Sequence, residues 1–261
     1  MKQQKTLLLI TLLASVAVTS TSQASLIARE GGMVYDTVNN ITWASDANLF
    51  QTQAAGNSNL VNDIIAANGG VIHDIPNLYD TVPYSGVYTL TSADFNIISN
   101  TPFVMPGKMT WFGAQAWANS LTLGGYTDWR LPTDTQELSG YNQTGSEMGN
   151  LFYNQLGGTA GSLILNNHNI SFDLFTNIQN DFYWSGSENS LNSNNAWGLD
   201  VRDLMQDGGA WKSLPFYAMA VRPGDVAASS VPIPAAAWLF LSGLGLMSFL
   251  RKNKSSNLIA A

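Results

Sequence analysis

Polar and apolar residues change rhythm three times along this chain. Met33-Val34-Tyr35-Asp36 and Ile41-Thr42-Trp43 flank Val38-Asn39-Asn40, which predicts a short β-hairpin, because Asn tolerates positive φ in a tight turn. From Thr110 the spacing becomes helical. Trp111, Ala114, Trp117, Ala118 and Leu121 share a face ahead of Gly124-Gly125, predicting a helix capped by Thr110 and ended by glycine. Thr133 to Gln136 fits a capping box for a short helix through Leu138, and Glu147 to Leu156 predicts a third helix, capped by Ser146 and stopped by Gly157-Gly158. The last third is β-like. Phe182-Tyr183-Trp184 predicts one strand and Ala196 to Arg202 another, with Trp197, Leu199 and Val201 on one face and Asp200 and Arg202 on the other. Asp207-Gly208-Gly209 predicts a turn, and Phe216 to Arg222 a returning strand. Residues 45–108 are the least regular. Within them Asn59 to Asn68 predicts a short helix with Leu60, Ile64 and Ala67 on one face, and the remainder reads as an irregular insertion. The pattern is α+β, with helices in the middle and an antiparallel sheet closing near the amino-terminal hairpin.

Both ends carry longer apolar runs. Lys2 and Lys5 precede Leu7 to Val18, and Ser22-Gln23-Ala24 has the small-x-small form that signal peptidase cuts. Residues 1–24 are therefore expected to be an export signal, with cleavage between Ala24 and Ser25. At the other end Val231-Pro232-Ile233-Pro234 precedes an apolar run from Ala235 to Leu250, then Arg251, Lys252 and Lys254. The prolines favour an extended backbone that a protease can grip. As a helix the run is roughly 24 Å long at ~1.5 Å per residue, short against a bilayer core of about 30 Å, and the basic cluster should stay cytoplasmic. These residues resemble the carboxy-terminal sorting signals called PEP-CTERM, in their VPxP variant. The resemblance implies a signal over 229–261, a transmembrane helix at 235–250 that anchors the chain in transit, and processing by an exosortase-type transpeptidase. The sequence departs from the commonest form in having Ile233 in place of Glu, and Ser255 to Ala261 beyond the basic cluster. An ordinary single-span anchor is the other reading.

Charge narrows the partners. Of 11 basic and 18 acidic residues, five basic ones and no acidic ones lie in the two end segments, leaving six against eighteen, a net charge of −12. A domain that acidic, with its basic residues scattered, repels phosphate backbones, so nucleic acid is not an expected partner. No cysteine is present, which removes disulfides, thiol catalysis and thiolate metal sites. An exported domain of about 205 residues must then hold together by its core and hydrogen bonds, and is large enough to do so.

Several stretches in order carry a second resemblance. They are Gly31 to Asp36 with Ile41-Thr42-Trp43, then Met109-Thr110-Trp111, Ala114 to Ala118 and Gly125-Tyr126-Thr127-Asp128-Trp129-Arg130-Leu131-Pro132-Thr133. Tyr183-Trp184-Ser185, Asn195-Ala196-Trp197 and Ala220-Val221-Arg222-Pro223 complete the series. Together they resemble the Lcl C-terminal-like family over roughly residues 29–224, within a domain at 25–228. The resemblance implies a C-type-lectin-like fold, occurrence on exported and adhesive bacterial proteins, and no general catalytic activity. The motif residues read as architectural: Trp129, Trp184 and Trp197 bury aromatic surface. The forks of Arg130 and Arg222 could bridge a carboxylate and loop carbonyls, and Leu131-Pro132 sets a turn.

Candidate chemistry is sparse. The fold's enzymatic relatives need cysteine, absent here. His73 and His168 are isolated, outside any nucleophile elbow or metal spacing, so an exported hydrolase is the last of three readings. Glu188, Asp200, Asp203 and Asp207 could cluster on the final loops as an oxygen-rich Ca²⁺ site, although the signatures of Ca²⁺-dependent sugar binders are missing. The first reading is a non-enzymatic surface or matrix protein whose partner is exopolysaccharide or another envelope component. Trp211, Asn195, Asp203 and Asp207 on the 186–213 loops would meet the sugar. The second is a structural matrix component that self-associates.

Overall fold

The computed structural model describes residues 26–97 and 105–226; the export signal, its cleavage site and the tail-sorting residues fall outside them. The chain opens with β1 (Leu26–Arg29), β2 (Met33–Asp36) and β3 (Ile41–Ala44), an antiparallel ribbon with Val34 opposite Trp43. The predicted hairpin forms. Asn40 takes φ 51°, and one oxygen of Asp36 accepts from the Val38 and Asn39 N–H groups at 2.9 and 3.0 Å, closing the turn with a side chain.

Most of the stretch expected to be irregular is not. It carries α1 (Leu49–Gly56), α2 (Leu60–Ala67), β4 (Val71–His73), β5 (Val87–Thr89), β6 (Phe95–Asn96) and β7 (Lys108–Met109). Its apolar residues explain why: Phe50, Val61, Ile64, Ile72, Leu90 and Phe95 all enter one core. The buried face of α2 is Val61 and Ile64, with Leu60 at its margin and Ala67 exposed. That core is completed by α3 (Trp111–Ser120), whose cap Thr110 accepts from the Gly113 N–H at 3.2 Å.

No helix forms over residues 133–138. Thr133 donates its N–H to Glu147, Asp134 accepts from Gln136 and Glu137, and Glu137 stands at φ 48°, so local side-chain bonds replace a helical ladder. The predicted third helix is present as α4 (Glu147–Gly149), capped by Ser146, and it widens into a π-helix over Asn150–Gln155 before Gly157 at φ 76°.

The last third holds β8 (Phe182–Glu188), β9 (Asn195–Asp200), β10 (Met205–Trp211), β11 (Tyr217–Ala218) and β12 (Val221–Pro223). The chain turns between β9 and β10, where Leu204 has φ 64°. Asp207-Gly208-Gly209 is no turn but a bulge inside β10, where pairing slips from Asp207↔Gly198 to Ala210↔Ala196. The predicted single strand from Phe216 to Arg222 is divided: β11 runs parallel to β8, and β12 pairs antiparallel with β3. Two four-stranded sheets result, β1-β2-β3-β12 and β10-β9-β8-β11.

Neighbouring residues enter opposite cores. Phe182 and Trp184 join Trp111, Trp117 and Trp129 on the side of α1–α3; Tyr183 joins Trp43, Leu151, Phe152 and Leu199 on the side of α4. This follows from the pleat, which sends alternate side chains to opposite faces. The architecture is mixed α and β, with mainly antiparallel sheets between two cores.

Candidate functional site

Two arginine clamps lock the sheets. Arg130 exchanges both backbone bonds with Val221 at 2.8 Å, and its fork meets Glu147 in two bonds of 2.7 Å and the Leu131 carbonyl at 3.0 Å. Arg222 grips Asp128 at 2.8 and 3.0 Å and lies 4.0 Å above the Tyr126 ring. That bond holds the Asp128 carboxyl below its ordinary range. Leu131 and Trp129 are buried, with the Trp129 indole N–H donating to the Tyr126 carbonyl; the Trp184 indole donates to the Met109 carbonyl. Trp197 is buried beside Gly208. These residues, with Pro132 between them, build the fold.

The four carboxylates do not assemble into one cluster. Asp200 is paired to Arg202, Asp203 accepts from Tyr141 and the Met205 N–H, and Asp207 accepts from the Gly209 N–H. These three share a hollow of about 310 Å³ with Phe182, Leu214 and Phe216, while Glu188 is turned inward against Lys212. Among the described residues no group of three or more His, Asp or Glu side chains is placed to hold a metal ion. Asp203 and Asp207 line this hollow, and Trp211 lines another.

Trp211 and Asn195 do come together. They are register partners at the ends of β10 and β9 and line a hollow of about 410 Å³ with Leu78, Tyr79, Asn192, Asn194 and Ser213. Trp211 is 60 % exposed, a large ring presented to solvent. Asn195 is buried, and its Oδ1 has no hydrogen-bond partner. The far wall comes from the excursion between β4 and β5. The Leu78 N–H donates to Asn194 at 2.8 Å, and the Ser193 hydroxyl to the Pro76 carbonyl at 2.8 Å. Much of the Asn-rich loop is spent on turns: Asn189 accepts from the Leu191 and Asn192 N–H groups, and Asn192 from that of Asn194.

Beneath this hollow lies a cluster that the sequence did not reveal. Lys212 is 0 % exposed and bonds Asp74 at 2.6 Å and Glu188 at 2.5 Å, with Trp111 at 4.6 Å from its Nζ. Nothing in the local pattern around Lys212 distinguishes it from a surface lysine. His73, next to Asp74, lines a third hollow with Trp111, Gln115 and Asn119, while His168 stacks on Phe172 at 4.0 Å. The two histidines occupy separate places and share no site.

The sequence model of the Lcl C-terminal domain matches residues 32–222, and the arginine clamps fall inside that span. The chain belongs to the Lcl C-terminal domain family. No curated protein and no solved structure matches it. The family match reaches across the helices and hairpin of 45–108, so that stretch lies within the matched domain. Among the described residues no helix is long and apolar enough to cross a membrane.

Proposed function

We propose that this Lcl C-terminal domain protein is an exported, non-enzymatic component of the cell surface or extracellular matrix, and that it binds exopolysaccharide through the hollow around Trp211. The observation that carries the reading is the Trp211 ring, 60 % exposed beside Tyr79, Leu78 and the amides of Asn192, Asn194 and Asn195. A sugar offers an apolar C–H face and a rim of hydroxyls. An exposed indole takes the face, and amide groups take the rim. The motif residues of 29–224 support a lectin-like fold as part of the same reading. Residues 231–252 support sorting and cleavage by an exosortase-type enzyme after export through signal peptidase.

The test is binding of the purified protein to the producing organism's own exopolysaccharide, with Ca²⁺ and with chelator. Trp211→Ala should reduce affinity at least tenfold while leaving the circular dichroism spectrum unchanged. Unaltered binding by that folded variant would remove the sugar from this hollow. Sensitivity to chelator would place a cation in the site. The exposed side chains of Ile75, Leu78, Val82 and Tyr84 on the same excursion favour a second reading, a self-associating matrix component. It predicts concentration-dependent oligomers and no saturable sugar binding.

A further inference from the structure

Lys212, Asp74 and Glu188 form an arrangement that ordinary ion pairing does not require. Lys212 and Asp74 side chains are both 0 % exposed, and burying an ammonium and a carboxylate is costly even when they pair. The lysine is fixed at both ends of its peptide unit: its N–H donates to the Asn194 carbonyl, and its carbonyl accepts from the Trp111 N–H. Its Nζ lies over the rings of Trp111 and Phe112 at 4.6 and 5.7 Å, where little water can solvate a charge. Asp74 Oδ2 sits 2.6 Å from Nζ and also accepts from Asn77 Nδ2 at 2.8 Å. Asp74 Oδ1 is buried and has no partner. Glu188 bonds Nζ with one oxygen at 2.5 Å and is held beside Asp74 by the Ile75 N–H at 3.2 Å.

We propose that Lys212 and Asp74 are joined by an amide bond between their side chains, formed by the folded chain itself with Glu188 carrying the proton. The amine nitrogen, 2.6 Å from Oδ2, has the carboxyl carbon roughly 3–3.5 Å away, the separation of a near-attack contact. Shift of one proton from Nζ to Oδ2, its hydrogen-bond partner, gives a neutral amine and a neutral acid, the forms that attack on the carboxyl carbon needs. Burial indeed raises the Asp74 carboxyl above its ordinary range, against the lowering effect of its bond to Lys212. The nitrogen lone pair then attacks Cγ and the N–C bond forms. Asn77, 2.8 Å from Oδ2, holds the hydroxyl that now sits there, and the developing charge falls on Oδ1. Glu188 accepts the second amine proton and passes it to the hydroxyl at Oδ2. The C–Oδ2 bond breaks, Oδ1 becomes the amide oxygen and one water leaves. No electron is gained or lost, and Glu188 ends as the carboxylate it began as.

The product would tie residues 138 apart in sequence, fastening the β4–β5 excursion to the end of β10. It would supply the covalent staple that a cysteine-free chain otherwise lacks, and it would resist reductants. The inference is independent of sugar binding.

Tandem mass spectrometry of a proteolytic digest of the full-length chain tests it. The expected result is a branched peptide linking Asp74 to Lys212, lighter than its two parts by one water. Lys212→Arg keeps the positive charge and should yield only separate peptides. Glu188→Gln, folded by circular dichroism, should yield them unlinked or at least tenfold less linked. Recovery of the unlinked Asp74 and Lys212 peptides from the folded wild-type chain would overturn the proposal without any variant. A water loss that persists in Lys212→Arg would also overturn it, since a succinimide at Asp207-Gly208 has the same mass.

Discussion

Glu147 ties the Arg130 fork to the backbone at Thr133. Its carboxylate receives two bonds from Arg130 and a third from the Thr133 N–H, all at 2.7 Å. Glu147→Ala leaves the Thr133 N–H without its acceptor and the guanidinium with the Leu131 carbonyl alone, and should cost about 2–3 kcal/mol. Arg130→Ala removes a side chain that is about one-third exposed, so about 1 kcal/mol is expected. Urea denaturation of the two variants checks the order, and a larger loss for Arg130→Ala would contradict it. Asp134 offers a second residue-scale test. Burial raises its carboxyl despite the bonds from Gln136 and Glu137, so the folded chain holds that proton to higher pH than the unfolded chain. Its contribution is therefore fully present below the unfolded value of about 3.9 and is lost as pH rises through the folded one. Asp134→Asn should flatten this part of the stability–pH curve and gain on wild type at neutral pH. An unchanged curve would show that Asp134 titrates normally. Asp128 acts oppositely: lowered by Arg222, it adds stability above about 3.9 that is lost as pH falls through its folded value.

At the scale of elements, the helix from Thr110 was legible because cap and spacing agree and act within a few residues, but it stops at Ser120 with Leu121 extended, short of the glycines expected to end it. The capping box at Thr133 misled for the same local reason. Its N–H meets a stronger acceptor, Glu147, brought in by α4. The β10 bulge shows what pattern alone hides. A Cβ on Gly208 would stand 2.6 Å from the Trp197 ring, and a buried indole cannot move aside. Gly208→Ala should cost about 1–3 kcal/mol by overpacking, seen as a fall in Tm. A fully stable variant would mean that the indole has room to yield. In α2 the helix was readable but its inner face was not, since Val61 and Leu60 are equally apolar and only docking chooses between them.

At the scale of the molecule, the two ends of the domain depend on each other. β12 is the edge of the first sheet beside β3, and Val221 also bonds Arg130. A chain stopped after Met219 loses that strand and the Arg222–Asp128 clamp together. It should show no cooperative thermal transition, and a normal one would mean that the amino-terminal ribbon stands without its closing strand. The sequence by itself determined the α+β class, the amino-terminal hairpin, the helices capped by Thr110 and Ser146 and the motif residues of the family, because periodicity, caps and turn residues act over short distances. The tertiary structure alone decided that strand residues feed two cores, that Trp211 meets Asn195 while Asp203 and Asp207 line another hollow, and that Lys212 is buried between Asp74 and Glu188. Those are pairings across long stretches of chain. Which apolar face or charge finds which partner is settled by packing and register, and neither is written in local pattern.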